Sequence, residues 1–328
     1  MTQELQSPKY PHRPIASVEI LAAALGVPLD QLQDVARRAE GLYRFAKPIP
    51  KADGSVRQPL DALPELKAVH RRIKVRLLSK VIFPKYLTGS IAGRDARANA
   101  DLHVGSAIVM SEDIERFFPS TGKELVRSIW LRFFGFSSEV ADLLTALTTK
   151  DAAWPEGAIT SSFLANLAFW DQEPKLEQLL RSRGFVYSRY VDDIAISSIR
   201  RVVPKELTRV IARVYGMMRS CGFSAKRRKH QIERSSGRMS VTKLTVNRRV
   251  ALPTEERQAI RAAVHQLEQG FAKAPPDPDA WHAYRKVLGR VSRLRQFHAS
   301  EGDALKKRLD TMRSSHLGSV VPPKNWSK

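Results

Sequence analysis

The sequence predicts an α+β chain in which a small antiparallel sheet is served by amphipathic helices. Residues 185–199, FVYSRYVDDIAISSI, set two runs rich in β-branched and aromatic residues on either side of adjacent acids. That pattern predicts a hairpin with Asp192 and Asp193 in its tight turn. Residues 107–113 add an apolar strand that presents Asp113 at its end, and helical periodicity recurs at 17–26, 29–41, 66–77, 204–221 and from 281 onward. Adjacent carboxylates next to so much apolar surface need a compensating cation, and a hard divalent ion is the natural one. An Asp-Asp pair also serves as a plain polar turn, so the flanking sequence has to decide.

Composition narrows the partners. With 328 residues, 43% hydrophobic and 27% charged, the chain can bury a sizeable core in one large or two to three small domains. Lys and Arg number 55 against 33 acids, a net charge of +22, which points to a polyanion: nucleic acid first, an anionic membrane surface second. The single cysteine, Cys221, excludes an internal disulfide framework and a Cys-rich zinc site and fits a reducing cytoplasm. The N-terminus has no apolar signal core, and no run approaches 18 uninterrupted apolar residues. A soluble, basic, cytoplasmic protein with no membrane partner is expected.

In chain order, 17–26 reads as a helix from a Ser cap to a Gly stop, and 29–41 repeats the pattern. Such a pair serves either packing or a DNA-reading helix-turn-helix. Ile49-Pro50-Lys51, Asp53-Gly54 and Val56-Arg57 predict a hairpin whose Lys51 and Arg57 could clamp a triphosphate. The next helix has Leu66, Val69, Ile73 and Leu77 on one face and Lys67, Arg71, Arg72, Lys74 and Lys80 on the other. Residues 88–103 are Gly-rich and expected as loop, and 124–149 as helix. The Pro-Glu-Gly turn at 155–157 precedes a helix capped near Thr160 or Ser161. The tract 222–249 carries nine Lys or Arg against one Glu, with strand-like fragments at 231–233 and 239–246. A Pro-rich linker at 274–280 leads to a basic helical part, and the tail loosens from about Ser314.

Taken in order, these segments resemble the palm of a reverse transcriptase, and more narrowly a bacterial retron reverse transcriptase. DIERFF at 113–118, WPEGAITSSFLAN at 154–166, YVDD at 190–193 and GFSAKRRKHQI at 222–232 are similar to four successive polymerase motifs. Asn99-Ala100-Asp101-Leu102-His103, an NAxxH match, and Val241-Thr242-Lys243-Leu244, near a Val-Thr-Gly motif, resemble retron enzymes in particular. Departures are Glu156 where the family usually has Gln, Ser162 for Pro, and Lys243 for Gly.

The resemblance implies a right-hand polymerase: fingers, a palm sheet carrying the YVDD hairpin, and a helical thumb. Expected boundaries are an N-terminal extension at 1–40, fingers and palm at 41–250, thumb at 251–313 and tail at 314–328. Asp113, Asp192 and Asp193, with the Ile114 carbonyl, would hold two Mg²⁺ ions. Lys229 would protonate the pyrophosphate or else contact backbone. Lys51, Arg57, Phe118, Glu156 and Gly157 would surround the deoxynucleotide, with Phe118 excluding a ribose 2′-hydroxyl. Tyr190, Asn99, His103, Lys226, Arg227, Arg228 and Lys243 are the candidate nucleic-acid contacts. Implied partners are deoxynucleoside triphosphates, a cognate structured RNA that serves as template and 2′-hydroxyl primer, its DNA product, and an accessory effector in anti-phage defence. The alternatives are another bacterial reverse transcriptase, of the abortive-infection or group II intron type, or a non-catalytic RNA-binding scaffold.

Overall fold

In the computed structural model, which describes residues 6–50, 54, 56–273 and 280–317, Ser17 accepts a hydrogen bond from the Ile20 amide and starts helix α1 (Val18–Leu25). Gly26, at φ 64°, ends it. Helix α2 (Leu29–Arg38) tightens into a 3₁₀ turn, Ala39–Gly41. Leu21, Leu25, Leu32 and Val35 are fully buried, so the apolar faces of this pair pack within the protein core.

Two nested ladders follow. β1 (Tyr43–Phe45) pairs antiparallel with β4 (Leu60–Ala62), and inside them β2 (Ile49–Pro50) pairs with β3 (Val56–Arg57). Lys51 and Asp53 lie outside the described residues. Helix α3 (Pro64–Arg76) buries Leu66, Val69 and Ile73 and leaves Arg71 and Arg76 exposed. The segment 88–103 is not all loop: Asp95 accepts from the Ala98 amide at 2.8 Å and caps α4 (Ala96–Asp101). A capping Asp inside a Gly-rich stretch is the signal that the loop expectation overlooked.

The sheet is built from β5 (Ile108–Asp113), the hairpin β6 (Val186–Tyr190) and β7 (Asp193–Ser198), and β8 (Gln231–Arg234), in the order β6-β7-β5-β8, antiparallel throughout. The helical stretch expected over 124–149 breaks into α5 (Lys123–Ser128), a π turn at Ile129–Phe133 and α6 (Ser138–Thr148). Gly135 at φ 71° makes the break, and the rings of Trp130, Phe134 and Phe136 fill it with centroids 4.8 and 5.1 Å apart. Short α7 (Ser161–Ala165) has Thr160 at its cap position, but no side-chain bond caps it. Helices α8 (Glu173–Ser182) and α9 (Pro204–Ser220) complete this layer. The strand expected over 239–246 is two short pieces, Ser240–Val241 and Leu244–Thr245, interrupted where Thr242 and Lys243 take positive φ.

The chain divides into two compact units, 1–242 and 243–328. The second is helical: α10 (Thr254–Lys273), α11 (Ala280–Phe297) and α12 (Ala299–Met312) bury Ile260, Val264, Val291, Leu294, Leu305 and Leu309. Gly302 lets α12 approach α11, because a Cβ there would meet the Arg295 Cα at 2.5 Å. Arg257 and Arg261 share Glu301 at 2.6 and 2.8 Å. The linker at 274–279 and the tail beyond 317 lie outside the described residues. Among the described residues no helix is long and apolar enough to cross a membrane.

Candidate active site

Strand pairing brings the three acids to one end of the sheet. Asp113, last in β5, lies opposite Asp193, first in β7, and the Ile114 amide donates to the Asp192 carbonyl at 3.1 Å. Tyr190 pairs with Asp193, so the hairpin loop is Val191-Asp192; the expectation of Asp193 in the turn is corrected, since its backbone belongs to the ladder. Val191 stands at φ 60° in the first position of this two-residue loop, a place that favours glycine. Such strain in a β-branched residue persists only where the surroundings impose it.

The charges are closely coupled. Burial first, then the neighbouring Asp113, raises the Asp192 carboxyl above its ordinary range. Asp193 reaches solvent on one side, yet desolvation followed by the charges of Asp192 and Asp113 pushes it up to about 7. Lys229 answers them: its ammonium donates to Asp113, and the Lys226 amide bonds the Asp113 carbonyl at 2.8 Å. Burial works to lower the Lys229 pKa, but the bond to Asp113 and the attraction of the three carboxylates leave it raised.

On the far side of the site, Glu156 binds Arg57 (2.6 Å), and its carbonyl accepts from the Leu60 amide at 2.7 Å. Gly157, at φ 106°, allows this approach, because a Cβ there would meet the Leu60 carbonyl oxygen at 2.6 Å. Phe118 is half-buried against Phe117, with ring centroids 5.7 Å apart, and Tyr190 is half-buried at the end of β6. Lys226 is half-buried, Arg227 and Arg228 are exposed, and Lys243 is exposed at φ 65°, a backbone shape that suits Gly.

This chain is 31% identical to the Retron Se72 reverse transcriptase of Salmonella heidelberg (strain 579083-10), over 97% of its own length and 89% of the relative's. It belongs to the retron reverse transcriptases. It is therefore an RNA-directed DNA polymerase. The Retron Ec48 reverse transcriptase of Escherichia coli is 29% identical over 92% of this chain and 77% of that one. The Retron Mx65 reverse transcriptase of Myxococcus xanthus is 32% identical over 76% and 62%. No family model matches the chain.

Reverse transcriptases work with divalent metal ions, and the residues here fit such an ion. Among the described residues no group of three or more His, Cys, Asp or Glu side chains is placed to hold a metal ion by itself. Coupled carboxylates at the sheet end, and an Ile114 carbonyl that accepts no hydrogen bond among the described residues, instead offer an open oxygen face. Ions that keep water and bridge phosphates take that kind of site.

Two candidate nucleic-acid contacts of this reverse transcriptase are corrected. Asn99 and His103 are buried, at 1% and 0% exposure, and cannot reach RNA. Thr88 donates its hydroxyl to Asn99, while the His103 ring bridges Ser197 of β7 (2.8 Å) and Ser188 of β6 (2.7 Å). NAxxH is thus a buried polar staple across the YVDD hairpin. Burial pushes His103 down to about 4 from 6.5, so the unfolded chain takes up its proton first as pH falls. The His103 contribution to stability is fully present above 6.5 and should decline by up to about 3 kcal/mol as pH falls toward 4. Urea unfolding of wild type against His103→Gln checks this; an equally steep slope in the variant would refute it.

Further residues escaped sequence inspection. Buried Arg189 pairs with buried Glu173, and buried Glu112 binds Tyr215 (3.0 Å) and His230 (2.6 Å) behind Asp113. A charged residue within the apolar run 185–191 was the available signal for Arg189.

Proposed function

We propose that this retron reverse transcriptase copies part of a cognate structured RNA into single-stranded DNA, using Asp113 and Asp192 as its principal metal ligands, with Asp193 and the Ile114 carbonyl beside them. The juxtaposition of β5's last residue and the β6–β7 turn carries this reading. Two Mg²⁺ ions, when bound, would stabilise the attacking and leaving oxygens of in-line phosphoryl transfer. The chain's own groups do the rest. Arg57, with Lys51, neutralises the triphosphate, and Phe118 crowds the sugar's 2′ position. Tyr190 supports the primer end. Lys229, kept protonated by its acidic neighbours, is suited to hand a proton to departing pyrophosphate. In a right-hand arrangement, the sheet is the palm, the two nested ladders and α3 belong to the fingers, and the helical second unit is the thumb. Lys226, Arg227, Arg228, Lys243 and the basic helices contact nucleic-acid phosphates and recognise RNA by shape. Priming from an RNA 2′-hydroxyl, a role in anti-phage defence with an effector, and a cytoplasmic setting complete the proposal.

The test is extension of a primer on an RNA template with purified protein, deoxynucleotides and Mg²⁺, with and without chelator, alongside sequencing of co-purifying nucleic acid. Metal-dependent DNA product and one enriched structured RNA with DNA joined through a 2′ linkage are expected. Incorporation that persists in chelator would overturn the metal assignment.

Glu156 gives a separate prediction. Arg57 is held by Glu156, and a triphosphate must take it away. A partly exposed pair of this kind contributes roughly 0.5–1 kcal/mol, so Glu156→Gln should lower the nucleotide KM about two- to fivefold. Steady-state KM reads this directly, and a raised value counts against competition.

A further inference from the structure

The geometry points to Arg189 and Glu173 as a positioning pair that holds the Val191-Asp192 turn in its strained shape, setting Asp192 before metal or nucleotide arrives. This rests on the proposed role of Asp192. The guanidinium is fully buried, and so is its partner. Its Nε and Nη2 donate to the two Glu173 oxygens at 2.6 and 2.8 Å. The remaining N–H groups reach three carbonyls: Ala165 at 3.1 Å, Asn166 at 3.0 Å and Val191 at 2.9 Å. One side chain thereby joins the end of α7, the start of α8 and the catalytic turn. The Tyr187 hydroxyl donates to Glu173 at 2.7 Å, and Phe169 lies under the guanidinium at 5.2 Å.

The bond to Val191 matters most. Its carbonyl and the Asp192 amide share one planar peptide, so fixing the oxygen fixes the direction in which the chain enters Asp192. The Arg189 backbone is itself anchored, donating to the Tyr86 carbonyl at 2.8 Å and accepting from the Thr88 amide at 3.0 Å. Stability alone does not account for a buried ion pair, because apolar residues of similar volume often serve as well. What apolar residues cannot do is reach three carbonyls from one rigid fork, and lysine lacks that fork as well.

The experiment compares wild type, Arg189→Lys, the double variant Arg189→Met/Glu173→Met and Asp192→Asn, each assayed at the same interval below its own Tm. Single-turnover extension is measured together with nucleotide Kd and, in metal-free protein, hydrogen exchange of residues 186–198. The Arg189 variants should extend at least about 30-fold more slowly at saturating nucleotide, with Kd changed by less than about threefold. Exchange across 186–198 should quicken about tenfold while 108–113 stays protected. Wild-type rate and protection in Arg189→Lys, or losses that vanish once Tm is matched, overturn the positioning role. An inactive Asp192→Asn beside a fully active Arg189→Lys rejects the pair alone. An active Asp192→Asn rejects the carboxylate assignment and the pair with it.

Discussion

Asp192→Asn should slow primer extension by at least about 10³-fold, a loss of roughly 4 kcal/mol in transition-state stabilisation, while leaving the protein folded. Asn keeps the shape of the side chain and removes the negative charge. The Asp192 carbonyl still accepts from the Ile114 amide, so the turn keeps its link to β5. Stability should move the other way. Asp193 is pushed up to about 7 by burial and by the charges of Asp192 and Asp113. A carboxyl whose folded pKa lies above its unfolded value of 3.8 contributes stability in acid that is lost as pH rises through 4 to 7. In chelator, this contribution should therefore decline across that window, against the gain that His103 brings, and Asp192→Asn should lose less of it and melt higher than wild type at pH 8. Rapid-quench extension and thermal melts in chelator provide both readings. A variant that extends normally would remove Asp192 from the chemistry.

Gly89→Ala should damage the same turn from outside the acids. A Cβ at Gly89 would stand 2.5 Å from the Val191 nitrogen and 3.0 Å from the Tyr190 carbonyl carbon. Those are backbone atoms, so no side-chain rotation relieves the clash. The Gly89 carbonyl also accepts from Asn166 at 2.8 Å, which ties the segment down on its other side. Overpacking of this kind costs about 1–3 kcal/mol or somewhat more, and shifting a catalytic group by about 1 Å lowers the rate on the order of 10²-fold. A drop of several degrees in Tm with a proportionate fall in single-turnover rate is expected; unchanged values for both would mean that the turn is free to move.

Much of this was legible in residue order, and what was hidden was hidden for physical reasons. Apolar runs rich in β-branched and aromatic residues located β5, β6 and β7, because these strands are buried along nearly their whole length. The acids stood out since carboxylates seldom interrupt such runs without a purpose. The NAxxH residues were placed as RNA contacts by resemblance alone, and their burial was not legible in the sequence. His103 and Asn99 are satisfied by Ser188, Ser197 and Thr88, partners that lie far away along the chain and carry no pattern of their own. Arg189 was passed over for the same reason, its partner Glu173 sitting on a separate helix. The helix in 88–103 was missed because Gly and Ala weaken periodicity, leaving only a cap to mark it.

The ammonium of Lys229 on Asp113 gives the resting enzyme a tethered counter-ion. If Asp113 takes a metal as proposed, the ion would displace it, and the displaced amine would stay within reach of the chemistry on its flexible stem. On that proposal, loading the site and freeing the proton donor would be a single exchange. Shortening that stem should tighten metal binding while slowing release of pyrophosphate.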